Sequence, residues 1–197
     1  EEEMNELSEN CAIVEFKKGD CIMKQGALSS NVIYLKKGLV KLHLQGPLFE
    51  QIARITKSPS YLGLPTTLGH KINNYSLTAL EDSEVCYINN TTFENLLAKN
   101  DRFAYEIIVD MCKRELQSFQ RCVNRTQKQA RGSIAENLIY FANEIYLSDE
   151  FDLPLTRTEF GNLVDASRES VSRVLSEFNT DRIIEISGKR IRILNKQ

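Results

Sequence analysis

The sequence predicts an α+β protein in three parts: an N-terminal antiparallel β domain, a long helix, and a C-terminal winged helix-turn-helix. Three observations carry this. Period-two alternation broken by glycine-marked turns fills about residues 11–90, the pattern of short antiparallel strands. No proline or glycine interrupts Asp101 to Arg131, where apolar residues recur at helical spacing. Two short capped helical patterns followed by a basic hairpin close the chain.

The strands come first. Ile13-Val14-Glu15-Phe16 precedes the turn Lys17-Lys18-Gly19-Asp20, and Gly26 ends the next strand. Val32 to Leu35 runs to Gly38, after which Val40, Leu42 and Leu44 alternate with Lys41 and His43. Residues 52–55, 76–80 and 85–88 complete the set. So many short strands in one stretch suggest a sandwich or barrel. Thr91 and Glu94 are spaced as a capping box opening a short helix. On the long helix, Phe103, Ile107, Ile108, Met111, Phe119 and Cys122 form an apolar stripe. One small β domain would not cover it, so these residues are expected to face a partner helix in a parallel dimer. The competing reading is a helix lying on its own sheet. The change from strands to helices near residue 100 sets the expected boundaries: 1–99, 100–131 and 132–197.

Composition narrows the function. The chain has 197 residues, 42% hydrophobic and 26% charged, as in globular proteins. No apolar run approaches the ~20 residues that cross a bilayer, and no basic-then-apolar leader is present. Glu1-Glu2-Glu3-Met4 reads as a clipped start, so further residues are expected before Glu1. Five cysteines (Cys11, Cys21, Cys86, Cys112 and Cys122) show no CxxC spacing. This argues against a zinc ribbon and a disulfide framework, and for a reducing cytoplasm. Net charge is only −2, but it is unevenly spread. Lys113, Arg114, Arg121, Arg125, Lys128 and Arg131 face Glu115 alone, and Lys189, Arg190, Arg192 and Lys196 follow the last acidic residue. Concentrated positive charge attracts phosphates.

The segment Arg157 to Phe178 is the informative one. Thr156 and Glu159 are spaced as a capping box. Phe160, Leu163 and Val164 form an inward face, and Gly161 allows a close crossing. Asp165 tolerates the left-handed turn that would follow, and Ser167 is a good N-cap for a second helix. Val171, Val174 and Leu175 then point inward. Arg168, Glu169, Ser172 and Arg173 are left outward, with Ser170 near the exposed N-terminal end. Two short helices joined by such a turn are a DNA-reading unit. Arginine pairs with guanine and glutamate accepts from cytosine, while serine hydroxyls and helix N-termini hold phosphates. The bland alternative is a structural hairpin with a solvated charged face. Against it, Ile184 and Ile186 alternate before Gly188, and Ile191 and Ile193 after it, with Lys189 and Arg190 at the tip. A basic hairpin in this place suits a wing on the DNA backbone.

At these residues the sequence resembles the Crp/Fnr family of bacterial transcription regulators. Glu169, Ser172 and Arg173 match the Glu-x-x-Ser-Arg motif of the Fnr branch, and Ser187-Gly188-Lys189 the wing tip. Upstream, Phe16-Lys-Lys-Gly19-Asp20, Gln25-Gly26 and Tyr34 to Gly38 match the family's cyclic-nucleotide-type β-roll, of double-stranded jelly-roll type. The resemblance implies a symmetric dimer on a pseudo-palindrome, with RNA polymerase as a further partner. It implies phosphate contacts from Arg157, Thr158, Ser167, Ser170, Lys189 and Arg190, and base contacts from Arg168, Glu169, Ser172 and Arg173. It also places an effector pocket at Gly63, Leu64, Thr66, Thr67, Asn73 and Asn74. Cyclic-AMP-binding members carry a Gly-Glu pair and an Arg-Ser or Arg-Thr pair there. Gly63-Leu64 and Asn73-Asn74 lack the carboxylate and the guanidinium, which argues against cyclic AMP and leaves an unidentified small-molecule effector. Only Cys11 and Cys21 lie near the start, too few for an iron–sulfur cluster. His43 reads as a surface histidine and His70 as a loop residue, so neither haem nor a metal is expected. Cys112 and Cys122 are either small buried hydrophobes or a thiol switch. A sensing module whose C-terminal helices contact proteins is the alternative. No nucleophile–base pair, phosphate loop or metal spacing supports an enzyme.

Overall fold

The alternating N-terminal segment closes into two four-stranded antiparallel sheets. The computed structural model describes residues 11–196, so the reading at Glu1 to Met4 lies outside the described residues. The first sheet runs β1 (Cys11–Phe16), β8 (Ser83–Asn89), β3 (Asn31–Lys37) and β6 (Ser60–Leu62). The second runs β2 (Cys21–Met23), β7 (Ser76–Ala79), β4 (Leu39–Gln45) and β5 (Glu50–Lys57). Register sets Val40 opposite Ala79 and Leu42 opposite Leu77. These side chains join Ile33, Leu35 and Val85 in one buried core, each large residue contributing roughly 1.5–3 kcal/mol on burial. Lys41 is buried on this framework and pairs with Glu50 at 3.1 Å. His43, expected at the surface, is half-buried instead. Its Nδ1 lies 2.8 Å from Glu50 and its Nε2 2.9 Å from Thr78.

A second core, built from Val32, Leu64, Cys86, Ile88, Phe93 and Ile107, brings three helices against the first sheet. They are α1 (Leu64–Gly69), α2 (Asn90–Lys99) and α3 (Asp101–Gln127). The sequence pattern does not show α1, which is too short for a full amphipathic period. The expected cap of α2 at Thr91 is replaced: Asn89 caps it, accepting from the Thr91 amide at 2.9 Å. The cysteine spacing argues against a disulfide framework, yet one link is present. Cys11 and Cys86 are linked across β1 and β8, with Cα atoms 5.5 Å apart. The register pairs Ile13 with Cys86 and Cys11 with Ile88, so the two cysteines are diagonal neighbours on one face. Cys21, Cys112 and Cys122 are free and exposed.

The chain divides into two compact units, one through Ser118 and one from Phe119 onward. The second holds α4 (Ala130–Tyr140), a π-helical turn (Phe141–Tyr146), β9 (Glu150–Asp152), α5 (Arg157–Val164), α6 (Arg168–Thr180), β10 (Ile184–Ser187) and β11 (Arg190–Ile193). Its sheet has the order β10-β11-β9. The sequence reading missed β9, because a single apolar residue, Phe151, marks it inside a polar loop. Ile134, Phe141, Phe160, Leu175 and Ile191 are fully buried at the centre of this unit. Among the described residues no helix is long and apolar enough to cross a membrane.

Candidate nucleic-acid interface

The two capped helices are held at fixed angles by local chemistry. Thr156 caps α5 by accepting from the Glu159 amide at 3.2 Å, and Glu159 accepts from the Thr156 amide at 2.8 Å, completing a capping box. Asp165 ends α5 with φ 56°, the left-handed conformation a tight turn requires. A Cβ at Gly161 would stand 2.4 Å from the Ala166 carbonyl oxygen. Glycine is therefore what lets the turn pass so close. Ser167 caps α6 by accepting from the Ser170 amide at 3.1 Å. Val171, Val174, Leu175 and Phe178 are buried at i, i+3, i+4 and i+7 spacing.

That anchoring fixes what faces out. Arg168, Glu169, Ser172 and Arg173 are all exposed on α6. The Ser172 hydroxyl donates to the Arg168 carbonyl at 2.9 Å, which leaves its oxygen free to accept. The row offers donors, an acceptor carboxylate and a hydroxyl together, the mix that reads base edges. Thr158 is exposed at the start of α5, beside the half-buried Arg157. Burial pushes the Arg157 guanidinium below its ordinary pKa. The wing turns at Gly188, with φ 63°, between β10 and β11.

The structure changes the charge argument. Most of the basic run in 113–131 is engaged inside the protein. Arg114 pairs with Asp110 at 2.6 Å, Arg125 with Asp165 at 3.0 Å and Lys128 with Glu136 at 2.9 Å. Arg131 pairs with Glu177 and Asp181 at 2.8 and 3.2 Å. The wing cations are likewise engaged: Arg190 with Glu150 and Asp152, Arg192 with Glu150 and Glu185, and Lys196 with Asp149. Lys189, at the exposed tip, is the wing cation without an ion pair among the described residues.

The stripe on α3 proves to be two faces. Phe103 and Ile107 pack on the β domain of their own chain, Phe103 at 5.7 Å from the Phe93 ring. Both are therefore removed from the expected dimer face. Ile108, Met111, Phe119 and Cys122 remain exposed, joined by Tyr105, Leu116 and Val123. These additions follow once the inward face is known.

The expected effector residues separate in the same way. A cavity of about 500 Å³ is lined by Arg54, Tyr61, Gly63, Leu64, Tyr75 and the Ile108–Ser118 side of α3. Burial raises the Tyr61 hydroxyl to about 12 and lifts Tyr75 as well. Thr66, Thr67 and Asn73 do not line the cavity. Their polar groups bind the protein itself: Thr66 to the Gly63 carbonyl at 2.8 Å, Thr67 to Ser29 at 2.7 Å and Asn73 to the Lys24 carbonyl at 3.2 Å. Asn74 is exposed and also outside the cavity.

Comparison with known proteins addresses both units. Residues 13–100 match the cyclic nucleotide-binding domain family, and residues 133–197 match the Crp-like helix-turn-helix domain. The transcriptional activator protein FnrA of Stutzerimonas stutzeri is 27% identical over 91% of this chain and 75% of its own. The electron transport regulator A of Shewanella oneidensis is 26% identical over 97% of this chain and 80% of its own. The solved structure of FixK2 from Bradyrhizobium japonicum superposes with a TM-score of 0.85 at 18% identity, covering 95% of this chain and 94% of that one.

Proposed function

The chain belongs to the Crp/Fnr family of DNA-binding transcription regulators rather than to any enzyme family, and from that premise we propose that it acts as a homodimer on a pseudo-palindromic operator. In this reading α6 lies in the major groove of each half-site. Arg168, Glu169, Ser172 and Arg173 read base edges, and Thr158, Ser170, Lys189 and the caps of α5 and α6 position the phosphates. The observation that carries the reading is the exposed row on α6, presented by a helix whose other side is buried.

The dimer forms through the exposed face of α3, where Tyr105, Ile108, Leu116, Phe119 and Val123 recur at the spacing of a helical seam. The effector is a small molecule other than cyclic AMP. Leu64 is buried in the second core and Asn73 is bonded to backbone, so neither the ribose nor the cyclic phosphate of that ligand has its partner. No resident metal or haem is assigned, and RNA polymerase is the remaining partner implied by the family.

The test is selection of bound duplexes from random DNA, followed by sedimentation. The expected result is a two-fold symmetric site and a dimer at micromolar concentration that Phe119→Glu converts to monomer. Recovery of no enriched sequence, or a wild-type monomer, would contradict the reading.

A further inference from the structure

The reading helix is tied to the start of α4 by a chain of charges that base reading itself does not use. Arg173 and Glu177 stand four residues apart on one face of α6, with Arg173 Nη1 3.4 Å from Glu177 Oε1. The other carboxylate oxygen, Oε2, accepts from Arg131 Nη1 at 2.8 Å. Arg131 is the second residue of α4. Its Nη2 donates to Asp181 Oδ2 at 3.2 Å, and its guanidinium carbon lies 4.7 Å over the Phe178 ring. Arg131 is thus held between two carboxylates and a ring, and it fixes Glu177. Arg173 meets Glu177 only at long range, and its side chain stays 68% exposed.

Guanidinium geometry gives this arrangement a consequence. Arg173 carries five donors in a planar fork, so one donor on Glu177 leaves a pair for the O6 and N7 of guanine. A tethered guanidinium has fewer orientations to lose when it docks. An acidic residue beside DNA would otherwise repel the backbone, and Arg131 neutralises it. Without Arg131, Glu177 and Asp181 would stand as bare carboxylates at the C-terminal end of α6, where the helix dipole disfavours negative charge. Glu177 would then bind Arg173 more fully and compete with the base.

We propose that Glu177 and Arg131 are positioning residues that tune the selectivity of α6 at the base Arg173 reads: Glu177 aims the Arg173 guanidinium, and Arg131 keeps Glu177 from capturing it. This rests on the assignment of Arg173 to base reading. Two consequences separate it from a purely structural role. Glu177→Gln removes both the tether and a negative charge, so affinity for random duplex rises about two-fold. At the same position its preference for the correct base falls about ten-fold. Arg131→Ala acts in the opposite sense on affinity, weakening operator and random DNA together, and Arg131→Lys recovers part of the operator binding.

The experiment measures binding of the full chain to the selected operator, to each single-base variant of it and to random duplex. The proteins are wild type, Glu177→Gln, Arg131→Ala, Arg131→Lys and Arg173→Ala, with a thermal melt of each. The expected result is that Glu177→Gln flattens the same base position as Arg173→Ala while its melt stays at the wild-type value. If Arg173→Ala flattens a position and Glu177→Gln keeps the wild-type preference there, the positioning role is overturned with the base-reading assignment intact. If Arg173→Ala flattens no position, the base-reading assignment fails and this proposal falls with it.

Discussion

The helix α6 is balanced in charge and the wing is net basic in the sequence, and the two use their charges differently. On α6, Arg168 and Glu169 stand exposed without ion pairs among the described residues, and Arg173 is only loosely paired. On the wing, Arg190 and Arg192 are engaged by Glu150, Asp152 and Glu185 from the neighbouring strands. Ile184, Ile191 and Ile193 meanwhile bury the inner side of the hairpin. The helix is anchored by its buried side and leaves Arg168, Glu169 and Arg173 exposed. The wing uses most of its charges to hold its own sheet together and presents Lys189 alone. A count of basic residues would rank the wing, with Lys189, Arg190 and Arg192, above α6, with Arg168 and Arg173, whereas their ion pairs reverse that order.

Substitutions can break or sharpen that contrast, and the largest effect belongs to the wing's apolar side. Ile191→Ala empties a fully buried site and is expected to cost about 2–5 kcal/mol of stability, read by denaturant melts. Retention of wild-type stability would show that the hairpin is not part of the core. Next comes Gly161→Ala, which forces a Cβ against the Ala166 carbonyl. It should cost about 1–3 kcal/mol and weaken operator binding as α6 shifts, whereas an unchanged operator affinity would mean that the turn does not set the helix. Smaller again is Lys189→Ala, expected to leave base preference alone and reduce the salt slope of binding by about 0.9 for each phosphate that Lys189 neutralises. Smallest is Arg190→Ala. Its exposed ion pairs are worth under about 1 kcal/mol, and the salt slope should move less than for Lys189→Ala. A larger slope change at Arg190 than at Lys189 would reverse the assignment of the wing tip.

The helix-turn-helix was legible in the sequence because its signals are local. Thr156 with Glu159, Asp165 at a left-handed turn and Ser167 as a cap each act within four residues, and each is realised. What depends on distant pairing was not legible. Cys11 meets Cys86 only through the register of two strands 75 residues apart. The strand at Phe151 exists because β11 supplies its partner. On α3 the apolar residues were visible, but which of them face inward depends on where the β domain lies. Ile107 is buried in the core and Phe103 packs against it, which takes both off the expected dimer face. A charge at Ile107 should accordingly lower stability, while a charge at Phe119 should act on association. In the basic run from Lys113 to Arg131, ion pairs with Asp110, Asp165, Glu136, Glu177 and Asp181 engage Arg114, Arg125, Lys128 and Arg131, partners that a local count of charge does not reveal.

The central claim is that α6 reads sequence, and Arg173→Ala tests it most directly when its binding to the selected operator and to random duplex is measured at one salt concentration. The expected result is a loss of about 1–3 kcal/mol on the operator, confined to one base position in each half-site, with a much smaller loss on random DNA. Equal losses on both would contradict it and reduce Arg173 to a phosphate-binding residue.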